Sequence, residues 1–264
     1  MLGAIIGDVI GSRFEFNTYK HKEFPLFTKA CQPTDDSVMT LAVAEAILNC
    51  AGDYSDLSEQ AVLCMQKWGR KYPYAGYGGN FRGWLVEEDP RPYNSFGNGS
   101  AMRVSPCGFA AASLEEALKL ADLVTVVTHN HPEGMKGAEA TAAAIFLARS
   151  GFDKPEIRKY LEKHYYKWNF TLDSIRADYE FDETCPGSMP QALEAFFEAQ
   201  SFEDTIRNAV SIGGDCDTTG AIAGSIASAY YGVPAELRKQ VLPFLERPMR
   251  ETLFAFEKKF ETKA

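Results

Sequence analysis

GGDCDTTGAIAGSIASAYYG, residues 213–232, is the stretch on which the reading of this chain turns. From Thr218 to Tyr231 it runs without a charge through small and apolar residues, a pattern that predicts helix. Gly220, Gly224 and Ser228 recur every four positions and so share one helical stripe. Glycine inside a helix costs about 1 kcal/mol relative to alanine, so the stripe points to a central helix against which a neighbour packs closely. Directly before it, Asp215 and Asp217 stand two positions apart behind Gly213 and Gly214. That is a large negative charge for the mouth of so apolar a helix.

Outward from this stretch, helical periodicity dominates from about residue 36 on. Apolar residues at three- and four-residue spacings predict helices over 36–50, 57–72, 113–129, 134–150, 155–168, 188–200, 201–212, 218–231 and 234–246. Alternating, strand-like runs are hard to find. Residues 73–103 mix Gly, Pro, Asn and aromatics and read as non-helical, and the polar segment 171–187 reads as a loop. There is no internal repeat and no polar linker, so the expectation is an all-α fold, a compact helical bundle forming a single domain over 1–264.

The 264 residues are 45% hydrophobic, ample for a sizeable core. Lys and Arg total 27 against 36 Asp and Glu, a formal charge of −9 that repels a nucleic-acid backbone. An anionic ligand must therefore be held locally, by metal ions, backbone amides or a few basic residues. The six cysteines show no paired spacing, which fits free thiols better than a disulfide framework or a structural zinc site. The opening MLGAIIGDVIGS lacks the basic start of a signal peptide, and no apolar run approaches the roughly 20 residues of a membrane span. A cytoplasmic monomer is expected, with neither membrane nor nucleic acid as partner.

A second acidic knot, PTDDSVMT (33–40), also stands before a predicted helix. Capping explains either knot alone: Thr or Asp at the N-cap and acids in the first turn are worth about 0.5–2 kcal/mol. Together they supply four carboxylates and two threonine hydroxyls. If both helix starts met, the like charges would raise one another's pKa unless cations intervened. Oxygen ligands of this kind suit Mg²⁺ or Mn²⁺ rather than Zn²⁺. Periodicity alone does not bring the two helix starts together.

The motifs GDVIGSRFEF (7–16), TDDSVMT (34–40), GNGSAMRVSP (97–106), VTH (127–129) and the opening stretch occur in an order that resembles the ADP-ribosylglycohydrolase family. Each is weak alone, but five in order span nearly the whole chain. The resemblance implies an all-α bundle with a binuclear centre of two Mg²⁺ (or Mn²⁺) ions at the bottom of a cleft. Its ligands would be Thr34, Asp35 and Asp36 from one side, and Asp215, Asp217 and Thr218 from the other, with Asp35 and Asp36 also counted as catalytic. Glu15 matches the acid of the family's G-D-x-x-G-x-x-x-E segment, on a flap, and would handle the proton of the hydrolytic water. Asp8 would stabilise the turn or orient ligand groups. The glycine-rich stretches would hold ADP-ribose: Gly76, Gly78 and Gly79 against the diphosphate, and Ser95, Gly97, Asn98 and Gly99 against phosphates and ribose. Phe96 or Tyr77 would stack on the base, and His129 would contact the phosphate or ribose side. The family's usual Thr between the two aspartates is Cys216 here, expected to pack inward.

The implied activity is hydrolysis of a glycosidic bond between ADP-ribose and an acceptor, with an ADP-ribosylated protein or small conjugate as partner. Two alternatives stay open: a catalytically silent module on the same fold, and a metal-dependent hydrolase of another nucleotide conjugate. Several features have bland readings too. Arg103 could balance the acidic site from behind, His131 carries no transferable role, and the basic segment 19–29 could simply solvate a flap. The acceptor is not legible; its contacts would lie in loops such as 17–33 and 165–187.

Overall fold

A computed structural model describes residues 1–261. Its first element is one the periodicity does not reveal. LGAIIGDVIG forms α1 (Leu2–Gly11), and all ten of its residues are buried. A helix that is apolar on every side has no amphipathic signature, because every side faces protein.

Along the chain follow α2 (Asp35–Asn49), α3 (Leu57–Lys71), α4 (Gly79–Trp84), α5 (Ser105–Ala110), α6 (Leu114–Thr125), α7 (Pro132–Arg149) and α8 (Lys154–His164). After them come α9 (Leu172–Ile175), α10 (Cys185–Glu198), α11 (Phe202–Ser211), α12 (Cys216–Tyr231), α13 (Ala235–Val241) and α14 (Arg247–Phe256). Among the described residues there is no strand, only an isolated antiparallel bridge between Gly97 and Thr184. The all-α expectation holds, and the long predicted helices recur with shifted ends. The helix read as 113–129 stops at Thr125, and that read as 155–168 stops at His164. The one read as 188–200 begins at Cys185, where Thr184 caps it and Pro186 occupies its first turn. Pro248 likewise lies in the first turn of α14, which the sequence reading did not anticipate. The segments read as non-helical contain short helices: α4 within 73–103, and α9 within 171–187.

The stripe on α12 has its partner in α1. A Cβ built on Gly3 would collide with the Gly224 carbonyl, one on Gly7 with that of Gly220, and one on Gly11 with that of Cys216. Glycines thus face glycines along both helices, and the two backbones touch. On its other sides α12 packs against α7, α10 and α11, which makes it the central helix. Cys216 is buried with its thiol toward the Val210 carbonyl at 3.6 Å, inward as expected. All six cysteines are free. No described helix is long and apolar enough to cross a membrane.

Candidate metal centre and cleft

The contact between α1 and α12 delivers the two acidic knots to one place. Gly213 and Gly214 both take positive φ, +72° and +73°, a left-handed pair that turns the chain into α12. Asp215 thereby becomes the N-cap and Asp217 lies in the first turn. Thr34 caps α2, with Asp35 and Asp36 in its first turn.

Asp8 joins the two. It lies inside α1 rather than in a turn, and its carboxylate crosses to the start of α2. There it accepts Thr34 N–H at 3.0 Å, Thr34 Oγ1 at 2.7 Å, Ser37 N–H at 3.0 Å and the Ser37 hydroxyl. With four donors its oxygens are satisfied, so Asp8 acts as a clamp between helices.

Two trios of carboxylates each bring one oxygen apiece within 4.8 Å of the others: Asp8, Asp36 and Asp217, and Glu15, Asp215 and Asp217. Asp217 belongs to both. Thr218 Oγ1 and Thr34 Oγ1 each lie 3.3 Å from Asp36 Oδ2. The Oδ1 atoms of Asp36 and Asp217 are buried with no hydrogen-bond partner. Unpartnered buried carboxylate oxygens are costly, and cations are the natural partners of several aimed at one point. Oxygen-only donors of this number fit hard divalent ions.

Burial raises every carboxyl of the cluster above the ordinary carboxylate range. Asp8 rises to about 6, its four hydrogen bonds opposing the shift. Glu15 rises to about 7 through burial and then the Asp215 charge, and Asp35 to about 8 through burial and then Asp8 and Asp215. Asp36 and Asp217 are pushed well up by burial and then by neighbouring carboxylates. Asp215 rises by burial too, opposed by hydrogen bonds that include Asn98. Groups whose folded pKa is raised hold protons that the unfolded chain has released, so without metal their contribution to stability declines as pH rises through the folded values. His129, pushed the other way, acts below about pH 6.5, so the informative window lies above it. We expect the chelated protein to lose on the order of 5 °C in Tm between pH 6.5 and 8.5, and Mg²⁺ to flatten that slope. A slope unchanged by Mg²⁺ would rule out metal neutralisation of the cluster.

Over these acids opens a cleft of about 530 Å³. It is lined by Glu15, Asp35, Asp36, Asp215, Asp217 and Thr218, and by Gly76, Gly78, Gly79, Ser95, Phe96, Gly97, Asn98, Gly99 and His129. The structure therefore gathers the candidate residues from the sequence at this cleft, apart from Thr34, which lies behind it as the cap of α2, and Tyr77. Gly76 needs its positive φ of +110° and faces Asp35 Oδ1. Side chains at Gly78 and Gly79 would meet nothing within 4 Å, so their backbone borders open space.

Two assignments change in detail. Asn98 is buried, and its amide donates to Asp215 Oδ2 at 2.6 Å and Ser188 Oγ at 3.2 Å, so it orients a carboxylate. The amides of Gly97 and Asn98 are also taken, by Ser95 Oγ and the Glu183 carbonyl. Tyr77 is buried against Phe81 and does not line the cleft, whereas Phe96 is half exposed along its edge.

His129 Nδ1 lies 2.7 Å from Thr128 Oγ1, which accepts from Arg103 at 2.6 Å. The threonine proton is then best directed at Nδ1, leaving hydrogen on Nε2, the nitrogen beside Gly97 and Gly99. Burial, and then Arg103, hold this histidine neutral. Arg103 bonds Thr128 and the Val124 carbonyl, so it orders His129 from behind. His131 caps α7 through its own ring nitrogen. On the cleft wall, Phe181, Glu183 and Thr184 lie in the 165–187 loop to which the sequence pointed without singling out residues, whereas sequence reasoning missed Phe16, Tyr93 and Asn94. Nothing in their local patterns marks them, since only folding brings them beside the acids.

Residues 1–262 match the ADP-ribosylglycohydrolase family. The chain is 28% identical over 270 residues to ADP-ribosylarginine hydrolase Tri1 of Pseudomonas putida (strain GB-1), covering 88% of this chain and 70% of that protein. To ADP-ribosylhydrolase ARH3 of Homo sapiens it is 27% identical over 309 residues, covering 88% and 84%. A solved ADP-ribosylglycohydrolase-related protein complex shares the fold, with TM-score 0.71 and 24% identity over 98% of this chain and 95% of that one.

Proposed function

The chain belongs to the ADP-ribosylglycohydrolase family, and from that premise we propose that it hydrolyses the glycosidic bond between ADP-ribose and an acceptor, a protein side chain or a small molecule. The observation that carries this reading is the pair of buried, unpartnered oxygens of Asp36 and Asp217 at the base of a cleft bordered by open glycine backbone. The names of its relatives, an ADP-ribosylarginine hydrolase and an ADP-ribosylhydrolase, agree with it.

Asp35, Asp36, Asp215, Asp217 and Thr218 would hold two Mg²⁺ or Mn²⁺ ions, with Thr34 as a further oxygen beside Asp36. When bound, such ions supply Lewis acidity toward ribose oxygens and water. The chain's own residues do the rest. Asn98 and Asp8 hold Asp215 and the start of α2 in place. Gly78 and Gly79 let the diphosphate approach the backbone. His129 offers its Nε2 hydrogen to a phosphate or ribose oxygen, and Phe96 supplies a ring face for the base. The carboxylate cluster stabilises positive charge developing on the ribose. Glu15, partly open to the cleft, accepts a proton from the attacking water and can return it to the leaving group.

Glu15→Gln tests this division of labour. Turnover of an ADP-ribosylated substrate should fall about 10²–10⁴-fold. Calorimetric binding of ADP-ribose in Mg²⁺ should persist within about threefold of the unsubstituted protein. Normal turnover would move the proton to another residue. Absence of ADP-ribose binding in the unsubstituted protein, with and without Mg²⁺, would overturn the proposed function.

A further inference from the structure

One ammonium group joins the loop of Glu15 to the turn that starts α12. Lys20 Nζ donates to the Tyr179 carbonyl at 2.5 Å and to the Ile212 carbonyl at 2.6 Å, across 159 and 192 positions of sequence. Ile212 is the C-cap of α11, so the cation meets a carbonyl that the helix leaves free, at the negative end of its dipole. Gly213 and Gly214 come next, and Asp215 follows them. A Cβ on Gly213 would lie 3.1 Å from Lys20 Cε and Nζ, and one on Gly214 would lie 2.7 Å from the Tyr179 ring. Lys20 and Tyr179 therefore roof the left-handed turn that feeds α12.

The same lysine is coupled to Glu15 through a small aromatic core. Phe14, directly before Glu15, is buried, and its ring centroid lies 5.2 Å from that of Tyr19, directly before Lys20, and 5.0 Å from that of Phe24. Tyr19 and Phe24 meet edge to face at 5.7 Å. Backbone bonds close the turn between them, Phe14 N–H to the Gly11 carbonyl at 2.7 Å and Asn17 N–H to the Phe14 carbonyl at 3.1 Å. Residues 13–24 thus form a loop packed on its own rings, in which Glu15 and Lys20 each adjoin one of them. The far end of the loop is tied separately: Arg207 of α11 donates to the Lys22 and Phe24 carbonyls at 2.8 and 2.9 Å, and Lys22 pairs with Asp204 at 2.6 Å. Lys20 and Lys22 of the basic segment 19–29 therefore grip α11 and its C-cap.

Of these ties, Lys20 is the one that reaches the turn before Asp215. Glu15 has an oxygen within 4.8 Å of oxygens of Asp215 and Asp217, and that spacing depends on where its loop sits on this turn. Lys20 does not line the cleft, so it acts on the reaction through another residue. Resting on the function proposed above, we propose that Lys20 is a positioning residue: by bridging the Tyr179 and Ile212 carbonyls it fixes Glu15 against Asp215 and Asp217. Without the bridge the loop keeps its aromatic core and its ties at Lys22 and Arg207, but its Glu15 end can lift from the turn. Misplacing a reacting group by about 1 Å costs on the order of 10²-fold in rate. Gly78, Gly79 and His129 stand on other segments, so the surfaces offered to ADP-ribose stay in place.

Lys20→Met removes the ammonium and keeps the reach of the side chain. Turnover is measured on a peptide ADP-ribosylated on arginine or on serine, whichever the unsubstituted protein cleaves faster, below the unfolding temperature of every variant. In Lys20→Met kcat should fall about 10–100-fold with KM within about threefold, while calorimetric binding of ADP-ribose in Mg²⁺ stays within about twofold of normal. Lys22→Met, which cuts only the pair with Asp204, should keep kcat within about twofold. The decisive comparison is the double variant Glu15→Gln/Lys20→Met. If Lys20 acts through Glu15, its turnover should lie within about threefold of Glu15→Gln alone. A lysine that only supports the fold would multiply the two losses, and that result would overturn the inference, as would a normal kcat in Lys20→Met. If Lys20→Met does not fold, Lys20→Gln, neutral and one atom shorter, is held to the same limits. Each of these outcomes leaves the proposed function standing while the unsubstituted protein binds ADP-ribose; failure of that binding would overturn both.

Discussion

Asp217→Asn should abolish the rise in Tm on adding Mg²⁺ and lower turnover by on the order of 10³-fold, while making the metal-free protein more stable. Asp217 is shared by both carboxylate trios, so its loss removes an oxygen from each. In the absence of cations, the same residue buries an oxygen with no partner and must hold a proton to lie among the other carboxyls. A neutral amide relieves the crowding and can donate to a neighbouring carboxylate, a gain of about 1–3 kcal/mol. The opposite signs of the two effects separate a metal centre from a structural acid cluster. Thermal unfolding in chelator and in Mg²⁺ reads both. An Mg²⁺-dependent rise that survives in Asp217→Asn would sink the shared centre.

Gly7→Ala should cost about 3 kcal/mol or more, lowering Tm by about 6–12 °C and weakening the Mg²⁺ response with it. The new methyl would fall on the backbone of Gly220 and Ala221, where no flexible side chain can give way. α1 and α12 must separate, and Asp8 moves with α1. Thr34 and Ser37 then lose their shared acceptor, and the start of α2 comes loose from the start of α12. Gly220→Ala should behave alike, since its methyl meets the Gly7 carbonyl from the other side. Gly52→Ala, where nothing lies within 4 Å, should shift Tm by less than about 2 °C. Near-equal stability of Gly7→Ala and Gly52→Ala would show that the helices can part without cost.

The sequence by itself determined the long helices and the acidic starts of two of them, because periodicity and capping are written within a few neighbouring residues. Asp35 and Asp36 before VMTLAVAEAIL, and Asp217 before TTGAIAGSIA, are legible as helix starts with no knowledge of the rest. Glycine spacing on α12 announced a close neighbour, but not which one: α1 is buried on every side and shows no period to read. Resemblance to a family supplied the expectation that the two knots meet; residue spacing alone did not.

Only the tertiary structure decided what each group faces. Asp8 spends its oxygens on Thr34 and Ser37, Asn98 spends its amide on Asp215, and Thr34 withdraws behind the cleft. Phe16 meets Phe181 where Lys20 bonds the Tyr179 and Ile212 carbonyls and so ties the segment after Glu15 to residues 176–184. These pairings join residues up to 192 positions apart. Their geometry depends on how closely whole helices approach, a distance set by missing side chains on two facing glycine stripes and recorded in neither stripe alone.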